Sequence, residues 1–278
     1  MSIVFKADDH SYTSIEGEEQ IQWTSVTSLI SKMKKHFDKE AVAKKVTKNS
    51  KSKWYGLDPK AVIQIWDNEA LRATTLGTYY HNQRESDLCS LSSLEVDGVI
   101  IPIVPPVPEI NNLKHAPSQK LDPGVYPEHM VFLKSVGICG QSDLVEVVND
   151  KINIIDYKTN KKIDTESYKN WDGISDKLQH PVSHLDDCNF NHYALQLSIY
   201  MYIILKHNPK LTPGSIYIHH VTFEQESENE FGYPIYTKDQ EGNPIVKEVT
   251  PIEVPYLKDE VISIIQYIKE NGINTFKK

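Results

Sequence analysis

Two aspartates and a lysine stand in a pair of apolar, β-branched runs that flank a short polar turn. Residues 140–162 read GQSDLVEVVNDKINIIDYKTNKK, with Asp143 in the first run and Asp156 and Lys158 in the second. Runs of this kind, divided by Asn149-Asp150-Lys151, predict an antiparallel hairpin. Because the turn is tight, the hairpin brings both carboxylates to one end of a sheet.

Two carboxylates at close range on a half-buried strand need a positive partner, since like charges repel and an unpaired buried charge is costly. A divalent cation meets this need, and hard oxygen ligands favour Mg²⁺, which also takes substrate phosphate. Lys158 shares a strand face with Asp156 by the two-residue period. Beside a metal it can orient or help deprotonate a water, or stabilise developing negative charge.

Further motifs stand in order around this hairpin. A bare D-x-K pattern is common by chance, but the order and spacing of the other motifs make the combination specific. Together they resemble the PD-(D/E)xK nuclease superfamily, and within it the RecB-like branch with its G-T-x-x-H element and its Q-x-x-x-Y helix. The resemblance covers roughly residues 77–223. The motifs are Gly77-Thr78-Tyr79-Tyr80-His81, Glu128, Gly140–Asp143, Asp156–Thr159 and Gln196-Leu197-Ser198-Ile199-Tyr200.

The resemblance implies hydrolysis of phosphodiester bonds with Mg²⁺ or Mn²⁺ as cofactor. The metal ligands that it implies are His81, Asp143, Asp156 and the backbone carbonyl of Tyr157. It also implies that Lys158 serves the attacking water and that Glu128 holds a second metal or orders the site. Gln196 and Tyr200 are implied to lie on a helix over the site, in contact with DNA or with Lys158.

The opening segments SVTSLISKM and FDKE, together with the W-D and G-T-x-x-H stretches, look like phage-type exonucleases and the mitochondrial genome maintenance exonuclease. Members of this branch that bind an iron–sulfur cluster use four cysteines. This chain has three, widely spaced: Cys89, Cys139 and Cys188. No iron–sulfur cluster is therefore implied, and no disulfide framework either.

Composition limits the class of protein and its location. With 39% hydrophobic and 24% charged residues, the chain is of ordinary globular composition. It has no apolar run of roughly 18 residues and no signal-peptide pattern at its start. We therefore expect a cytoplasmic protein, in the host cytoplasm if a phage encodes it, with no membrane partner.

The formal net charge of -8 argues weakly against nucleic acid, but its distribution matters more. Between Lys32 and Lys53 lie nine lysines and two acids, either a solvated helix face or an arm that follows phosphates. Nearby aromatic residues either stack on the bases of a single strand or anchor the core. The candidate nucleic-acid contacts are Lys44, Lys45, Lys53, Trp54, Tyr55, Lys161, Lys162 and, as a third stacking candidate, Trp171.

The order of the predicted helices and strands indicates an α/β fold. We expect a restriction-endonuclease-like core, in which helices flank a central mixed β-sheet, and an N-terminal helical embellishment. Residues 1–76 form an N-terminal hairpin and Lys-rich helical region. Residues 77–278 form the nuclease core, with a polar insertion at about 163–190, and the whole is one compact unit. The predicted strands are Glu128–Val136, Gly140–Val148, Ile152–Tyr157 and Ser215–Phe223, and the later helices are Asn191–His207 and Pro255–Asn271.

Before these strands we predict two helices and a proline-rich connection. A helix capped by Thr24 or Ser25 is followed by a second helix from Asp58-Pro59, which Gly77 is expected to break before a further turn carries His81. The proline-rich residues 101–127 read as an irregular connection or an edge excursion.

The sequence thus predicts a metal-dependent DNA exonuclease that acts on a free end, preferably of a single strand, in phage DNA replication, recombination or repair. A phage replication or recombination protein is a possible partner. A structure-selective endonuclease of the same superfamily is the nearest alternative. A catalytically silent nucleic-acid-binding module is a second, and a structural α/β protein whose acids form surface pairs is a third.

Overall fold

The computed structural model describes residues 3–6, 11–15, 19–169 and 172–276. Five α-helices occur in these residues: α1 Val26–Met33, α2 Lys39–Val46, α3 Pro59–Cys89, α4 Asn189–His207 and α5 Lys258–Asn271. The strands in the same residues are β1 Ile3–Lys6, β2 Ser11–Ser14, β3 Thr24–Ser25, β4 Ser93–Val96, β5 Val99–Pro102, β6 Leu113–His115, β7 Gly124–Leu133, β8 Ile138–Val148, β9 Lys151–Lys158, β10 Thr212–Phe223, β11 Gln225–Glu228, β12 Pro234–Tyr236 and β13 Val246–Glu253.

A six-stranded mixed sheet forms the centre of the molecule. Its order is β13-β10-β9-β8-β3, and β7 also pairs with β8. Strand β8 runs antiparallel to β7 and to β9. Strands β9 and β10 are parallel and are joined by the crossover helix α4. This sheet with its flanking helices confirms the predicted α/β, restriction-endonuclease-like fold class.

Both faces of the sheet are buried, which explains the continuous apolar runs of β8 and β9. One face packs on α1, α4 and α5 through a large cluster that includes Leu29, Ile154 and Met201. The other face packs on α3, where Leu76 and Tyr80 meet the strands of the sheet. The G-T-x-x-H motif on α3 and the Q-x-x-x-Y motif on α4 therefore approach the sheet from opposite sides.

Helix caps explain where the N-terminal helices begin. The Ser25 side chain accepts a hydrogen bond from the Ser28 amide and caps α1, as one of the two expected caps. Asp58 caps α3 with Pro59 at its first turn. The expected break at Gly77 is wrong, because α3 continues to Cys89. Buried Leu76 and Tyr80 hold the helix on the sheet and outweigh the low helix propensity of glycine.

The proline-rich connection contains more structure than predicted. It starts inside a hairpin of β4 and β5, includes β6, and ends at β7, which begins at Gly124 rather than at 128. β7 ends at Leu133 rather than at Val136, because residues 134–136 turn into a 3-10 helix that is closed by Gly137 at a φ of +64°. No helix in the described ranges is long and apolar enough to cross a membrane.

The segment between β9 and α4 contains the predicted polar insertion. Isolated bridges join Lys169 to Ser175 and Lys177 to Asp186. The Gln179 amide donates to the Met33 carbonyl at 2.8 Å, and Lys35 Nζ lies 2.7 Å from Asp176 Oδ1. The insertion is thus tied to the end of α1.

Candidate active site

The carboxylates of the hairpin lie where the backbone pairing of β8 with β9 ends. The last pair of β8 and β9 on this side is Leu144↔Ile155, so Asp143 and Asp156 stand one residue beyond it. Asp143 Oδ2 accepts a hydrogen bond from the Tyr157 amide at 2.8 Å. The side chain therefore occupies the position that a backbone carbonyl would fill, and this fixes its direction.

His81 reaches this end of the sheet from α3. Its Nδ1 lies 3.3 Å from Asp143 Oδ2, and its Nε2 donates to the Tyr157 carbonyl at 3.0 Å. Burial alone would lower the pKa of His81, but the hydrogen bond and the charge of Asp143 outweigh it and raise the pKa to about 9. Both ring nitrogens face acceptors, so this arrangement favours the imidazolium.

Glu128 enters the site from β7. Its neighbours Pro127 and His129 pair with Leu144 and Ser142, which puts Glu128 across from Asp143. Its φ of +48° lies in the left-handed region, where a glutamate is strained. Burial raises the pKa of Glu128 to about 8, and the charge of Asp143 contributes to the rise.

Three side chains form a cluster suited to a metal ion. One ligand atom each from His81, Glu128 and Asp143 lie within 4.8 Å of one another. One nitrogen and two carboxylate oxygens are donors that divalent cations accept. The strained backbone of Glu128 and the burial of its carboxyl group beside Asp143 are costs that a bound cation would offset. The residues present therefore fit a divalent metal.

Asp156 and Lys158 form a buried pair beside this cluster. Lys158 Nζ lies 2.5 Å from Asp156 Oδ2, with the side chains 16% and 1% exposed. Burial raises the pKa of Asp156 to about 6 although Lys158 opposes the rise. Burial alone would lower the pKa of Lys158, yet Asp156 and Asp143 raise it above its usual value. Asp156 Oδ1 is buried and has no hydrogen-bond partner among the described residues.

The motif on α4 contacts the sheet next to the site. Gln196 Nε2 donates to the Tyr200 hydroxyl at 3.2 Å, and Tyr200 is buried. The Tyr200 ring packs against the backbone of Gly140, where an added Cβ would lie 2.6 Å from the ring. A glycine in the G-x-x-D motif therefore allows α4 to approach β8 closely.

The basic candidates are exposed and mostly near acids. Lys44 and Lys45 lie in the last turn of α2, and Lys44 Nζ is 3.7 Å from Glu40. Lys161 lies 3.7 Å from Glu228 and Lys162 lies 2.5 Å from Asp164. All these lysines lie outside the cluster at the sheet end.

The aromatic candidates differ from one another. Trp54 is buried, edge-on to Trp66 and stacked on Phe231 at 5.5 Å, so its burial argues against a base-stacking role. Tyr55 is 60% exposed. Lys53 Nζ lies over the Trp54 ring at 4.7 Å. Trp171 lies outside the described residues.

Two residues of the site were not predicted. Gln141 Nε2 donates to Glu128 Oε2 at 2.5 Å, and Lys158 Nζ lies 4.9 Å from the centre of the Tyr193 ring. Gln141 precedes Asp143 by two residues and so shares its strand face, which is a signal that the sequence contains. Tyr193 lies one helical turn before Gln196, on the face of α4 that the Q-x-x-x-Y motif defines.

The fold and the site define a restriction-endonuclease-like hydrolase, in which a mixed sheet presents acids and a lysine at one end. A family model described as the PD-(D/E)XK nuclease superfamily matches residues 39–271, which is most of the chain. The chain belongs to this nuclease superfamily. No curated protein and no solved structure matches it.

Proposed function

We propose that this protein is a metal-dependent DNA exonuclease of the RecB-like branch that acts from a free end, preferably of a single strand. The observation that carries the proposal is the cluster of His81, Glu128 and Asp143 beside the buried Asp156–Lys158 pair. Phage DNA replication, recombination or repair is the setting we infer, with a cytoplasmic location.

The residues that would hold Mg²⁺ or Mn²⁺ are His81, Glu128 and Asp143, joined by Asp156 and the carbonyl of Tyr157. When bound, the cation polarises the scissile phosphate and lowers the pKa of water. Asp143 is fixed by the Tyr157 amide, and Gln141 holds Glu128, so two carboxyl groups are aligned before a cation binds. Such preorganisation reduces the cost of binding.

Lys158 supplies positive charge next to the reacting phosphate. Since Asp156 and Asp143 raise its pKa, the ammonium keeps its protons at neutral pH. In that form it donates hydrogen bonds to a phosphate oxygen or to the attacking water and stabilises developing negative charge. Gln196 and Tyr200 fix α4 against β8, and Tyr193 of the same helix lies beside this ammonium.

A preference for DNA ends is supported by the segment that follows Lys158. Gln179 and Asp176 of the insertion are bonded to Met33 and Lys35 at the end of α1. The insertion is therefore bonded to the start of the Lys-rich region. Together they could form the two walls of a channel for DNA. We propose that the exposed Lys44, Lys45, Lys53, Tyr55, Lys161 and Lys162 contact the DNA there.

A digestion assay tests the proposal. End-labelled linear and closed circular single-stranded DNA would be incubated with Mg²⁺, Mn²⁺ or a chelator. We expect metal-dependent loss of the linear substrate alone. Asp156→Asn abolishes this loss because it removes a carboxylate that no neutral amide replaces, whereas Asp150→Asn, in the turn of the same hairpin, leaves it intact.

Each other outcome points to a different function. Cutting of circles overturns the exonuclease proposal in favour of a structure-selective endonuclease. DNA binding without any cutting leaves the catalytically silent binding module as the explanation. Cutting that persists in the chelator, or in Asp156→Asn, contradicts the site itself.

A further inference from the structure

A second concave surface lies along α3, away from the carboxylates. This groove, of about 930 Å³, runs between α3 on one side and β12 with its neighbouring loops on the other. Leu71 and Ile235 in its walls are 67% and 42% exposed. Four aromatic residues line what we call the aromatic groove: Tyr79, Phe231, Tyr233 and Tyr236.

The lining suits flat, uncharged rings. Single-strand binding proteins stack successive bases on aromatic side chains, and every base has a face that can stack. The volume lies at the upper end of the roughly 300–1,000 Å³ of sites that enclose small ligands, so it exceeds what one base fills. Leu71 and Ile235 add exposed apolar surface among the rings.

The aromatic groove adjoins a smaller cavity that reaches the residues after Lys158. Pro234 and Tyr236 line both the groove and a smaller cavity of about 400 Å³. The other wall of that cavity is Thr159–Lys161, which directly follows Lys158. A chain that leaves the Asp156–Lys158 pair along this wall therefore reaches the groove past Tyr236.

Basic side chains beside the groove can contact a phosphate backbone. Arg72 stacks over the Tyr236 ring at 5.1 Å, and its contact with Glu69 at 2.6 Å neutralises that acid. Lys53 Nζ lies 4.9 Å from the centre of the Tyr233 ring and closes the Lys-rich stretch of the sequence. Phosphates fit beside Lys53 and Arg72 with the bases turned inward.

Stacking on these rings requires an unpaired strand. In a duplex the faces of the bases are covered by neighbouring bases, whereas an unpaired strand can turn its bases toward aromatic side chains. The charged residues that line the groove are Arg72, Lys238 and Glu69, and Arg72 contacts Glu69.

We propose that the aromatic groove binds the bases of an unpaired DNA strand by stacking, next to the segment that occupies the active site. The inference rests on the proposed function in taking DNA as the ligand. It adds where the strand lies and which chemical group, the base, is recognised.

Binding of two oligonucleotides tests the inference. A thymidine oligonucleotide of about six residues and an abasic one of the same length would be titrated in a chelator, with fluorescence anisotropy as the readout. We expect the wild type to bind the thymidine strand about tenfold more tightly. Tyr233→Leu removes this preference and leaves affinity for the abasic strand unchanged. Tyr202→Leu is the matched control, since Tyr202 also carries a lysine over its ring, Lys206, but does not line the groove.

The outcomes separate this inference from the proposed function. Equal loss of preference in Tyr202→Leu, or an unchanged preference in Tyr233→Leu, overturns the groove assignment even if metal-dependent cutting is intact. Failure of the wild type to bind or cut any DNA overturns both. A dimer in sedimentation that Tyr233→Leu dissociates shows that a second copy of the chain covers the groove, and this also overturns the inference.

Discussion

At the scale of single residues, the metal-free site holds protons that a cation must displace. The pKa values of His81 and Glu128 are raised to about 9 and about 8, so both groups are protonated at pH 7. Metal ligands must be deprotonated, and binding therefore releases protons. The raised pKa values make metal affinity rise with pH until about pH 9.

Proton release on metal binding is the first prediction. At pH 7 the wild type should release about two protons per Mn²⁺ or Mg²⁺ bound, one from His81 and one from Glu128. Glu128→Gln should release about one. Calorimetric titrations in buffers of different ionisation enthalpy give the number. Release of no proton by the wild type contradicts ligation by these two residues.

The strained backbone at Glu128 leads to a second prediction. Asparagine tolerates the left-handed region better than glutamate or glutamine. Glu128→Asn should therefore be more stable than Glu128→Gln by about 1 kcal/mol in the free energy of unfolding, measured by urea denaturation in a chelator. Both variants lose the carboxylate, so the loss of its charge cancels in the comparison. Both should also bind metal more weakly than the wild type.

At the scale of elements, the close approach of α4 to β8 depends on one glycine. Gly140→Ala places a methyl group against the buried Tyr200 ring, and we expect a loss of about 1–3 kcal/mol in stability. In the Tyr200→Leu background the same change should cost much less, because the ring is gone. Thermal or urea unfolding of the four proteins checks the coupling. Additive losses would contradict the contact.

Gly77→Ala is the matched control for this prediction. At Gly77, in the middle of α3, an added Cβ meets only Thr159 Oγ1 at 3.4 Å, an ordinary contact. Alanine there should raise stability by about 0.5–1 kcal/mol, since glycine weakens a helix interior.

These elements also show what the sequence could predict. The hairpin of β8 and β9 and the helix α4 were predictable because apolar patterning and turn residues are local signals. The continuation of α3 through Gly77 was not, because it depends on Leu76 and Tyr80 packing on a distant sheet. For the same reason Trp54 was a stacking candidate in the sequence, whereas its burial depends on Trp66 and Phe231.

Within the site, the types of the residues were predictable and their contacts were not. The motifs named His81, Glu128, Asp143, Asp156 and Lys158. In the structure Asp156 pairs with Lys158, whereas His81 clusters with Glu128 and Asp143. This division depends on where the pairing of β8 with β9 ends and on the left-handed backbone of Glu128 within β7. No pattern in the amino-acid sequence indicates these side-chain directions.

At the scale of the whole molecule, the net charge is -8, yet the segment from Lys32 to Lys53 is basic. If Lys44, Lys45 and Lys53 contact phosphates, changing all three to glutamine should reduce the salt dependence of single-strand binding. The slope of log K against log salt should fall by about 2, at about 0.7 for each phosphate contact. Affinities measured between 50 and 300 mM salt, by anisotropy in a chelator, give this slope.

The control for the salt experiment changes charge elsewhere. A control variant also loses three positive charges, but at the β8–β9 turn and on α5. It combines Lys151→Gln, Lys258→Gln and Lys269→Gln. We expect the slope to stay as in the wild type. A fall of equal size in both triple variants would mean that the lysines act only through overall charge.

The spacing of the site along the chain has a consequence for its synthesis. Its parts come from α3, β7, β8, β9 and α4, and the other edge of β9 is covered only by β10, which follows all of them in the chain. A chain still on the ribosome therefore cannot complete the sheet around the candidate site until β10 has emerged. We expect chains that end before β10 to lack the nuclease activity proposed above.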